Sequence, residues 1–429
     1  MSVRDLPGSG AETGSASGTD STPAVPVIGI MIYDNPKECG AGYASIDGSV
    51  PTYVRQPEDL ANNVIWVTNA DFQQFFALGH RNVHNLRGNS FLRTQLHQIA
   101  SDLGLELNGA NAYEAAPVLS KVVSRVFKLI ADCYEWKNGE IGSADSLQDN
   151  IKSRFPRDQF VTNNPSLERA LLAAFQTDSL VTKPHFNPNS VFLTLRMNRL
   201  THAQKVMSCP LPDDAWEFVH EDRLPPGQHE RLALCLESGR PVLAEVELDM
   251  SRADSEYAQL AAFGKKQASR MELRKWVSHP ELIWLTRVTP LNIRSIYMSA
   301  AYRPPHEKMK LPAQLTEDPL MRLSYSAGLL AENHWVSLAS DEYMKMFKKK
   351  MLTARAVWLR ASDRALCFMV ARRAHDEGFN VTGYGAGGIR IQVSRSELMR
   401  VVGFAIENQL VSPDFSSIIT DEDIHAAAA

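Results

Sequence analysis

Residues 27–54 read VIGIMIYDNPKECGAGYASIDGSVPTYV and decide the fold of the N-terminal part of the chain. Three short runs rich in β-branched and aromatic residues are separated by the turn-forming DNPKECG and GS, which predicts three successive strands. The run NVIWVT at 63–68 predicts a fourth strand. Apolar residues then recur at helical spacing up to residue 136. This order predicts a β-meander that leads into helices.

The remainder of the chain reads mostly as helix with short strands. The pattern predicts strands at 191–197 and 241–250, and helices over 253–277 and 341–375. FNVTGY and IRIQV then flank the glycine turn at 385–388, which predicts a hairpin.

A helix follows this hairpin, because the sequence Ser394-x-x-Glu397 is a capping box. We therefore predict a mainly α fold with short β-strands (α+β). Its large α-rich body carries an N-terminal β-meander and a C-terminal β-hairpin plus helix.

We divide the chain by composition. Residues 1–26 are almost entirely small, polar and proline residues, which cannot bury enough apolar area to offset chain ordering, and predict a disordered tail. The predicted segments are a main, shell-like domain over 27–136, a Pro/Asn-rich region over 137–240 as the candidate protrusion, an α-rich main domain over 241–415, and a C-terminal tail over 416–429.

Composition excludes several classes of protein. The 429 residues are 44% hydrophobic and 22% charged, as in an ordinary globular protein. A net charge of −4 means that any contact with nucleic acid must come from a local basic patch. No apolar stretch is long enough to span a membrane, so we expect no membrane partner. No nucleophile, phosphate-loop or zinc motif is present, so we predict no catalytic residue, no metal ligand and no cofactor, and no enzyme.

One alternative rests on Asp34, at the end of the first predicted strand. A strand ending in this aspartate, a turn and a second strand beginning near Gly42 resembles the opening of the RNase H-like fold as RuvC resolvases use it. That resemblance implies a divalent ion bound by Asp34 and further carboxylates. The fourth strand supplies none, and Asp71 follows only after it. Other acids in the chain are Glu245, Glu247, Asp249 and Asp254. The alternative function is therefore an RNase H-like nucleic-acid-processing enzyme or its inactive descendant.

A second resemblance is to single-subunit polymerases. Asp249 closes a strand, as the palm aspartate does, and Arg294 and Tyr302 lie eight residues apart as in a fingers helix. The resemblance implies a second aspartate at the turn of a later hairpin. The hairpin of this chain has glycines and alanine at 385–388 instead, so it cannot hold a metal pair.

The clearest asymmetry of charge lies at 344–373, where nine basic residues face the single acid Asp363. Apolar residues between them predict a helix with one buried face and a row of cations on the other, able to neutralise phosphates irrespective of base sequence. A solvated face or salt bridges between subunits would give the same pattern. The predicted nucleic-acid-binding residues are Lys345, Lys348, Lys349, Lys350, Arg355, Arg360 and Arg364. A non-enzymatic adaptor that uses this helix is a third hypothesis.

In length, tail and helical texture the chain resembles the coat proteins of small fungal double-stranded RNA viruses of the partitivirus type. This resemblance implies dimers that assemble into an icosahedral shell, and hence a virion in the host cytoplasm. We therefore expect the main function to be that of a self-assembling coat (capsid) protein, with itself and RNA as partners through non-specific phosphate contacts. The predicted interface anchors, for which burial in the core is the alternative, are Trp284, Ile296, Tyr297, Met298 and Tyr302.

Overall fold

The structure is a computed structural model, and the residues that it describes are 27–61, 63–70, 90–134, 151, 164–175, 178–180, 189–213, 215–249, 272–287, 289–304, 310–323, 328–340, 342–344, 349–412 and 414–419. The predicted tail over 1–26 and the end of the C-terminal tail lie outside this part of the chain.

The strands, numbered in chain order, are β1 (Val27–Tyr33), β2 (Gly42–Ile46), β3 (Thr52–Val54), β4 (Val64–Thr68), β5 (Asp178–Leu180), β6 (Ser190–Met197), β7 (Leu211–Pro212), β8 (Trp216–Val219), β9 (Val242–Asp249), β10 (Glu272–Ser278), β11 (Leu291–Ser299), β12 (Tyr302–Arg303), β13 (Glu342–Met344), β14 (Lys349–Met351), β15 (Asn380–Gly385), β16 (Gly388–Ser394) and β17 (Leu410–Val411).

The α-helices are α1 (Ser90–Asp102), α2 (Ala112–Tyr134), α3 (Pro165–Ala174), α4 (Arg199–Met207), α5 (Gln228–Glu237), α6 (His279–Leu285), α7 (Ala313–Glu317), α8 (Pro319–Leu323), α9 (Leu329–Leu338), α10 (Ala354–Asp376), α11 (Leu398–Glu407) and α12 (Phe415–Ile418). This mixture of helices and several small sheets is the α+β fold that the sequence predicts.

The first sheet has the strand order β3-β2-β1-β4. Strands β1, β2 and β3 pair antiparallel, which confirms the predicted meander, and β4 pairs parallel to β1. On one face of β1, Ile28, Ile30 and Ile32 join the core cluster that contains the buried face of α2. Met31 and Tyr33 pack with Trp66 on the other face. Burial on both faces explains why β1 reads as a continuous apolar run.

The other described strands form two large sheets and two two-stranded sheets. The large sheets have the orders β10-β9-β11-β8 and β17-β6-β16-β15-β5, and the small ones pair β12 with β7 and β13 with β14. The predicted hairpin is β15 and β16, which pair antiparallel, and β16 pairs with β6 on its other side. Strand β6 belongs to the region that we considered as a protrusion, yet it is an internal strand of this sheet.

Helix α10 is packed between several other elements. All of its residues from Ala354 to Ala365 are buried. It contacts β15, α6, β7 and α4. Over these residues the helix has no exposed face, so their sequence lacks the apolar periodicity of a helix that is exposed on one side.

Three stretches differ from their predicted secondary structure. The end of the predicted helix at 253–277 is strand β10, and the stretch compared with a fingers helix is strand β11. The beginning of the predicted helix at 341–375 is occupied by β13 and β14, which pair antiparallel. Short apolar runs do not separate strand from helix, and their strand pairing in the folded chain decides between the two.

Two structural findings concern predicted contacts. No helix in the described part of the chain is sufficiently long and apolar to cross a bilayer. Ile296, Tyr297 and Met298 are at most 4% exposed, because β11 is an internal strand between β9 and β8. The prediction that these three residues are exposed for a second copy is therefore wrong.

Candidate functional site

The first candidate site is the carboxyl end of β1, where Asp34 follows the last residue of the strand. The backbone N–H of Asp34 donates to Ala41 O at 3.0 Å, which closes the turn between β1 and β2. Its side chain is exposed, and its Oδ2 accepts a hydrogen bond of 3.0 Å from the hydroxyl of Tyr53. The sequence therefore places an accessible carboxylate at this end of the sheet.

Asn69 lies beside it, immediately after β4. Its Oδ1 accepts from the backbone N–H of Tyr33 at 3.0 Å, and its Nδ2 donates to the carbonyls of Tyr33 at 3.2 Å and Leu107 at 3.3 Å. The side chain is 2% exposed. Because β4 is parallel to β1, their carboxyl ends meet at one edge of the sheet. At that edge the buried amide of Asn69 both accepts and donates, which an ionised carboxylate could not do.

Three tyrosines complete the surroundings of Asp34. The ring of Tyr43 contacts the rings of Tyr53 and Tyr113 edge to face, at centroid distances of 5.1 and 5.5 Å. Tyr53 and Tyr113 are each about half exposed. The hydrogen bond to Asp34 raises the pKa of Tyr53, because ionisation of the phenol would break this bond beside a carboxylate.

These residues do not fit a pair of divalent ions. Within the described residues, Asp34 belongs to no group of three side chains whose ligand atoms lie close enough to share an ion. Two-metal chemistry needs several carboxylates that converge on ions about 4 Å apart. Of the other acids considered, Glu245 and Glu247 lie on β9 in a different sheet, where Glu247 pairs with Arg294. Asp71 and Asp254 lie outside the described residues.

The second candidate site is the tip of the β15–β16 hairpin. Its two loop residues, Ala386 and Gly387, have φ of 51° and 78°, as in the two-residue turn that suits a hairpin. A Cβ at Gly387 would lie 3.3 Å from His202, and one at Gly388 would lie 2.4 Å from the carbonyl oxygen of Leu195. The glycines therefore permit both the hairpin turn, as the sequence predicts, and its close packing.

Asp363 fixes this turn from α10. Its Oδ2 accepts from the N–H of Ala386 and its Oδ1 from the N–H of Gly387, both at 2.8 Å. Oδ1 also lies 3.0 Å from Nε2 of His202. Burial by itself raises the pKa of this fully buried carboxyl, but His202, the N–H of Gly387 and Arg360 outweigh burial and lower it. Asp363 is thus an ionised anchor inside the protein.

Cys367 completes a buried trio with Asp363 and His202 whose potential ligand atoms all lie within 4.8 Å of one another. The thiol of Cys367 donates to Asp363 Oδ1 at 3.5 Å. Burial, followed by the charge of Asp363, raises the pKa of the thiol well above its ordinary value. A metal would need the thiolate, whereas these contacts favour the thiol and already occupy both carboxylate oxygens. We therefore interpret the trio as a hydrogen-bonded cluster that stabilises the hairpin.

Two strands flank the hairpin: β6 carries no carboxylate, whereas β5 begins with Asp178, which pairs with Gly385. Asp249 ends β9 in another sheet. Arg196 pairs with Gly388 across β6 and β16. It lies 3.3 Å from Glu332, whose other oxygen lies 2.6 Å from Arg199. At the hairpin tip, Arg196 on β6 therefore pairs with Gly388 and Asp178 on β5 pairs with Gly385.

The predicted basic helix is not a surface for nucleic acid along its first three turns. Arg355, Arg360 and Arg364 are at most 8% exposed, so the expectation of an exposed cationic face is wrong for them. Arg364 donates to both oxygens of Glu281 at 2.8 and 2.7 Å, and Arg360 donates to the carbonyl of Ala339. Lys349 and Lys350 lie on β14, and Lys345 and Lys348 lie outside the described residues.

The remaining predicted anchors are half-buried within the chain. Trp284 lies beneath the guanidinium of Arg287, 4.5 Å from its ring centre. The ring of Tyr302 lies 6.0 Å from that of His279, edge to face, and burial raises the pKa of Tyr302 to about 12. Neither side chain forms part of a large exposed apolar patch with Ile296, Tyr297 and Met298, which are buried.

Sequence analysis missed the structural roles of Asn69, His202 and Glu281. The one available signal for Asn69 was its place directly after a buried strand parallel to β1. Nothing local distinguishes Glu281, since its partner Arg364 lies 83 residues away. The charge pattern of one segment does not indicate which distant residues will pair with its charges.

No protein family model matches the chain, and no curated protein matches it either. Among solved structures, it is similar to Phi29 DNA polymerase in an orthorhombic crystal form, with a TM-score of 0.43 and 10% identity over 85% of this chain and 80% of that one. The ternary complex of Phi29 DNA polymerase gives a TM-score of 0.37 and 11% identity over 69% of this chain. The match spans 58% of the polymerase chain.

The family B DNA polymerase from Pyrobaculum calidifontis gives a TM-score of 0.32 and 10% identity, over 90% of this chain and 56% of that one. TM-scores this low support no inference about activity or ligands. We therefore argue the function from the side chains of this protein.

Proposed function

We propose that this chain is a catalytically inactive descendant of an RNase H-like nucleic-acid-processing enzyme, which binds nucleic acid without cleaving it. The observation that carries the proposal is the pairing of Asp34 with Asn69 at the carboxyl ends of β1 and β4. One expected carboxylate is present and accessible. The other is replaced by a buried amide that bonds three backbone groups.

The topology supports the first half of the proposal by analogy. An antiparallel meander with a fourth strand parallel to the first is the arrangement that an RNase H-like opening requires. A fold by itself does not imply a function, so this analogy supports a common ancestor and says nothing about activity.

The donor sets support the second half. Asp34 meets no trio of potential ligands in the described part of the chain. Both oxygens of Asp363 accept hydrogen bonds from the N–H groups of the hairpin turn. Within the described residues, neither position therefore offers the converging carboxylates that cleavage through two metal ions needs.

The test is an assay of binding and cleavage on the same samples. Labelled single-stranded and duplex DNA and RNA oligonucleotides are incubated with the full chain and Mg²⁺ or Mn²⁺. We expect retention of the oligonucleotide by the protein and no cleavage product, with Asp34→Asn giving the same result. Metal-dependent cleavage that Asp34→Asn abolishes would contradict the claim of inactivity. Failure to bind any of these nucleic acids would contradict the claim of binding.

The coat protein of a double-stranded RNA virus is a second and separate proposal. Its support is the length and overall plan of the chain, but three of its five interface anchors are buried in the chain's own core. Electron micrographs of concentrated protein test it directly. Closed particles would establish self-assembly, and a monomer at every concentration would remove the proposal.

A further inference from the structure

A wide groove lies at the end of the first sheet opposite Asp34. It has a volume of about 620 Å³ and lies between α2, the first residues of β1 and the turn that follows β2. Since β1 is seven residues long, the groove and Asp34 are separated by about 20 Å along the strand. The groove is therefore a site distinct from the candidate site described above.

Three cations line this groove from one face of α2. Lys121, Arg125 and Lys128 are separated by four and then three residues, which places them in one row along the helix. At a rise of about 1.5 Å per residue, the row is about 10.5 Å long. A row of this length can contact more than one phosphate of the same strand.

The two lysines of this row are free to bind a ligand. Both are exposed, and neither forms an ion pair with any residue in the described ranges. Arg125 differs, because it pairs with the buried carboxylate of Asp318 at 2.6 Å while its own side chain is 48% exposed. Among the described residues that line the groove, Asp47 is the one acid. Its positive charge is therefore carried mainly by Lys121 and Lys128.

Hydrogen bonds and packing contacts hold α2, which carries the row of cations, against the first sheet. Ser120 accepts a hydrogen bond of 2.8 Å from the N–H of Gly48 and bonds the hydroxyl of Ser45 at 3.0 Å. The aliphatic part of Lys121 passes over Gly48, where an added Cβ would lie 3.4 Å from it. Ser124 donates to the carbonyl of Ile28. These contacts fix α2 against the sheet, so the cations project from a preformed surface.

We propose that this groove binds the phosphodiester backbone of single-stranded nucleic acid through Lys121 and Lys128. The inference rests on the proposed function and names the surface that performs it. The volume is that of a pocket for a small ligand, which suits a few nucleotides of one strand better than a duplex. Contacts to phosphates alone carry no base sequence, so binding is independent of sequence.

The experiment measures binding of a labelled oligothymidylate to the full chain by fluorescence anisotropy over a series of salt concentrations. The variant is Lys121→Gln/Lys128→Gln, which removes two cations without adding a repulsive charge. We expect affinity at low salt to fall at least tenfold. The slope of log K against log salt should become shallower by about 1.4, since each lost contact to a single strand contributes about 0.7.

The matched control is Lys205→Gln/Arg223→Gln, which changes the net charge by the same amount at exposed positions on α4 and in a short turn before α5. We expect the control to keep the slope of the wild type. Circular dichroism melting curves of both variants should match the wild type, because none of the four side chains is buried.

The outcomes separate the two proposals. If the wild type binds and the groove variant keeps its slope, the groove proposal is wrong and the proposed function stands. If the wild type binds no oligonucleotide, both are wrong. An oligoadenylate RNA of the same length, bound with the same loss of slope, would show that the groove takes either sugar. A duplex bound more tightly than both single strands would overturn the choice of a single strand.

Discussion

Asp34 and Asp363 are the same kind of residue in opposite environments. Asp34 is exposed at the end of β1, and the hydroxyl of Tyr53 bonds its Oδ2. Asp363 is fully buried on α10 and bonds two backbone N–H groups of the hairpin turn, with His202 beside them. The carboxylate of Asp34 is accessible, and among the described residues no two further ligand groups lie close enough to share an ion with it. Both oxygens of Asp363 accept hydrogen bonds inside the protein.

The difference shows that the surroundings of a carboxylate decide whether it is accessible or holds the fold together. At the hairpin, Asp363 beneath the turn bonds its N–H groups, while Arg196 and Asp178 pair with the tip from the two flanking strands. At β1 and β4, Asn69 ties the strand ends together through its amide. Both arrangements satisfy buried polar groups, which stabilises the fold.

The largest effect is expected for Asp363→Ala. The change leaves the N–H of Gly387 and the ring of His202 without their buried acceptor, so the free energy of unfolding should fall by about 3–5 kcal/mol. Urea denaturation at neutral pH measures it. Asp59→Ala, at an exposed carboxylate, is the control and should change stability by about 0.5 kcal/mol or less. A loss no larger than that of the control would mean that Asp363 does not anchor the turn.

The pH dependence sharpens the same comparison. Because the pKa of Asp363 is lowered in the folded protein, its contribution is complete above the ordinary aspartate value of 3.8 and is lost as pH falls through the lowered pKa. The difference in stability between wild type and Asp363→Ala should therefore be constant at neutral pH and shrink in acid. A difference that grows in acid would contradict this sign.

An intermediate effect is expected for Asn69→Asp, which restores an acid beside Asp34. The carboxylate cannot donate to the carbonyls of Tyr33 and Leu107, so unfolding should become easier by about 1–3 kcal/mol. Burial raises the pKa of the new acid, and the protonated form can donate. The loss should consequently be greater at pH ~8 than at pH ~5 in denaturant titrations.

The control for this variant is Asn63→Asp, at an exposed asparagine just before β4. It should show neither the loss nor its pH dependence. If Asn69→Asp is as stable as this control, the amide is not required at the strand ends, and the proposed reason for its presence fails.

The smallest effect is expected for Asp34→Asn, because the side chain is exposed and has one described hydrogen-bond partner. Stability should be unchanged within error. The pKa of Tyr53 should fall towards its ordinary value of 10.0, since the hydrogen bond to a charged acceptor is what raises it. Carbon-labelled tyrosine followed by NMR over a pH titration measures this shift, with Tyr53→Phe to assign the signal. An unchanged pKa would show that the contact is not maintained in solution.

Local patterns predicted the parts of the fold whose partners are close in sequence. The meander of β1, β2 and β3 and the hairpin of β15 and β16 follow from turn residues between apolar runs, and the capping box at Ser394 and Glu397 is formed. In each case the decisive contacts join residues that are neighbours along the chain.

Strands whose partners are distant were not predictable in this way. Strand β10 was expected as the end of a helix, but it pairs with β9 along its whole length. The arginines of α10 were also expected at a surface. The acid that neutralises Arg364 comes from α6, which is distant in sequence, so the charge pattern of α10 gave no sign of it. A buried charge is tolerated when its counter-charge is supplied in the folded state, and a single segment contains no record of that counter-charge.

The sequence by itself determined the α+β class, the order of the first strands, the hairpin with its glycine turn, and the isolation of Asp34 from any acid on the fourth strand. These depend on turn chemistry and side-chain period, which are local. Only the tertiary structure decided that Arg355, Arg360 and Arg364 are buried, that Asp363 holds a turn, and that Lys121 and Lys128 line an open groove. Burial and charge pairing depend on which distant elements pack together, and that is a property of the folded chain.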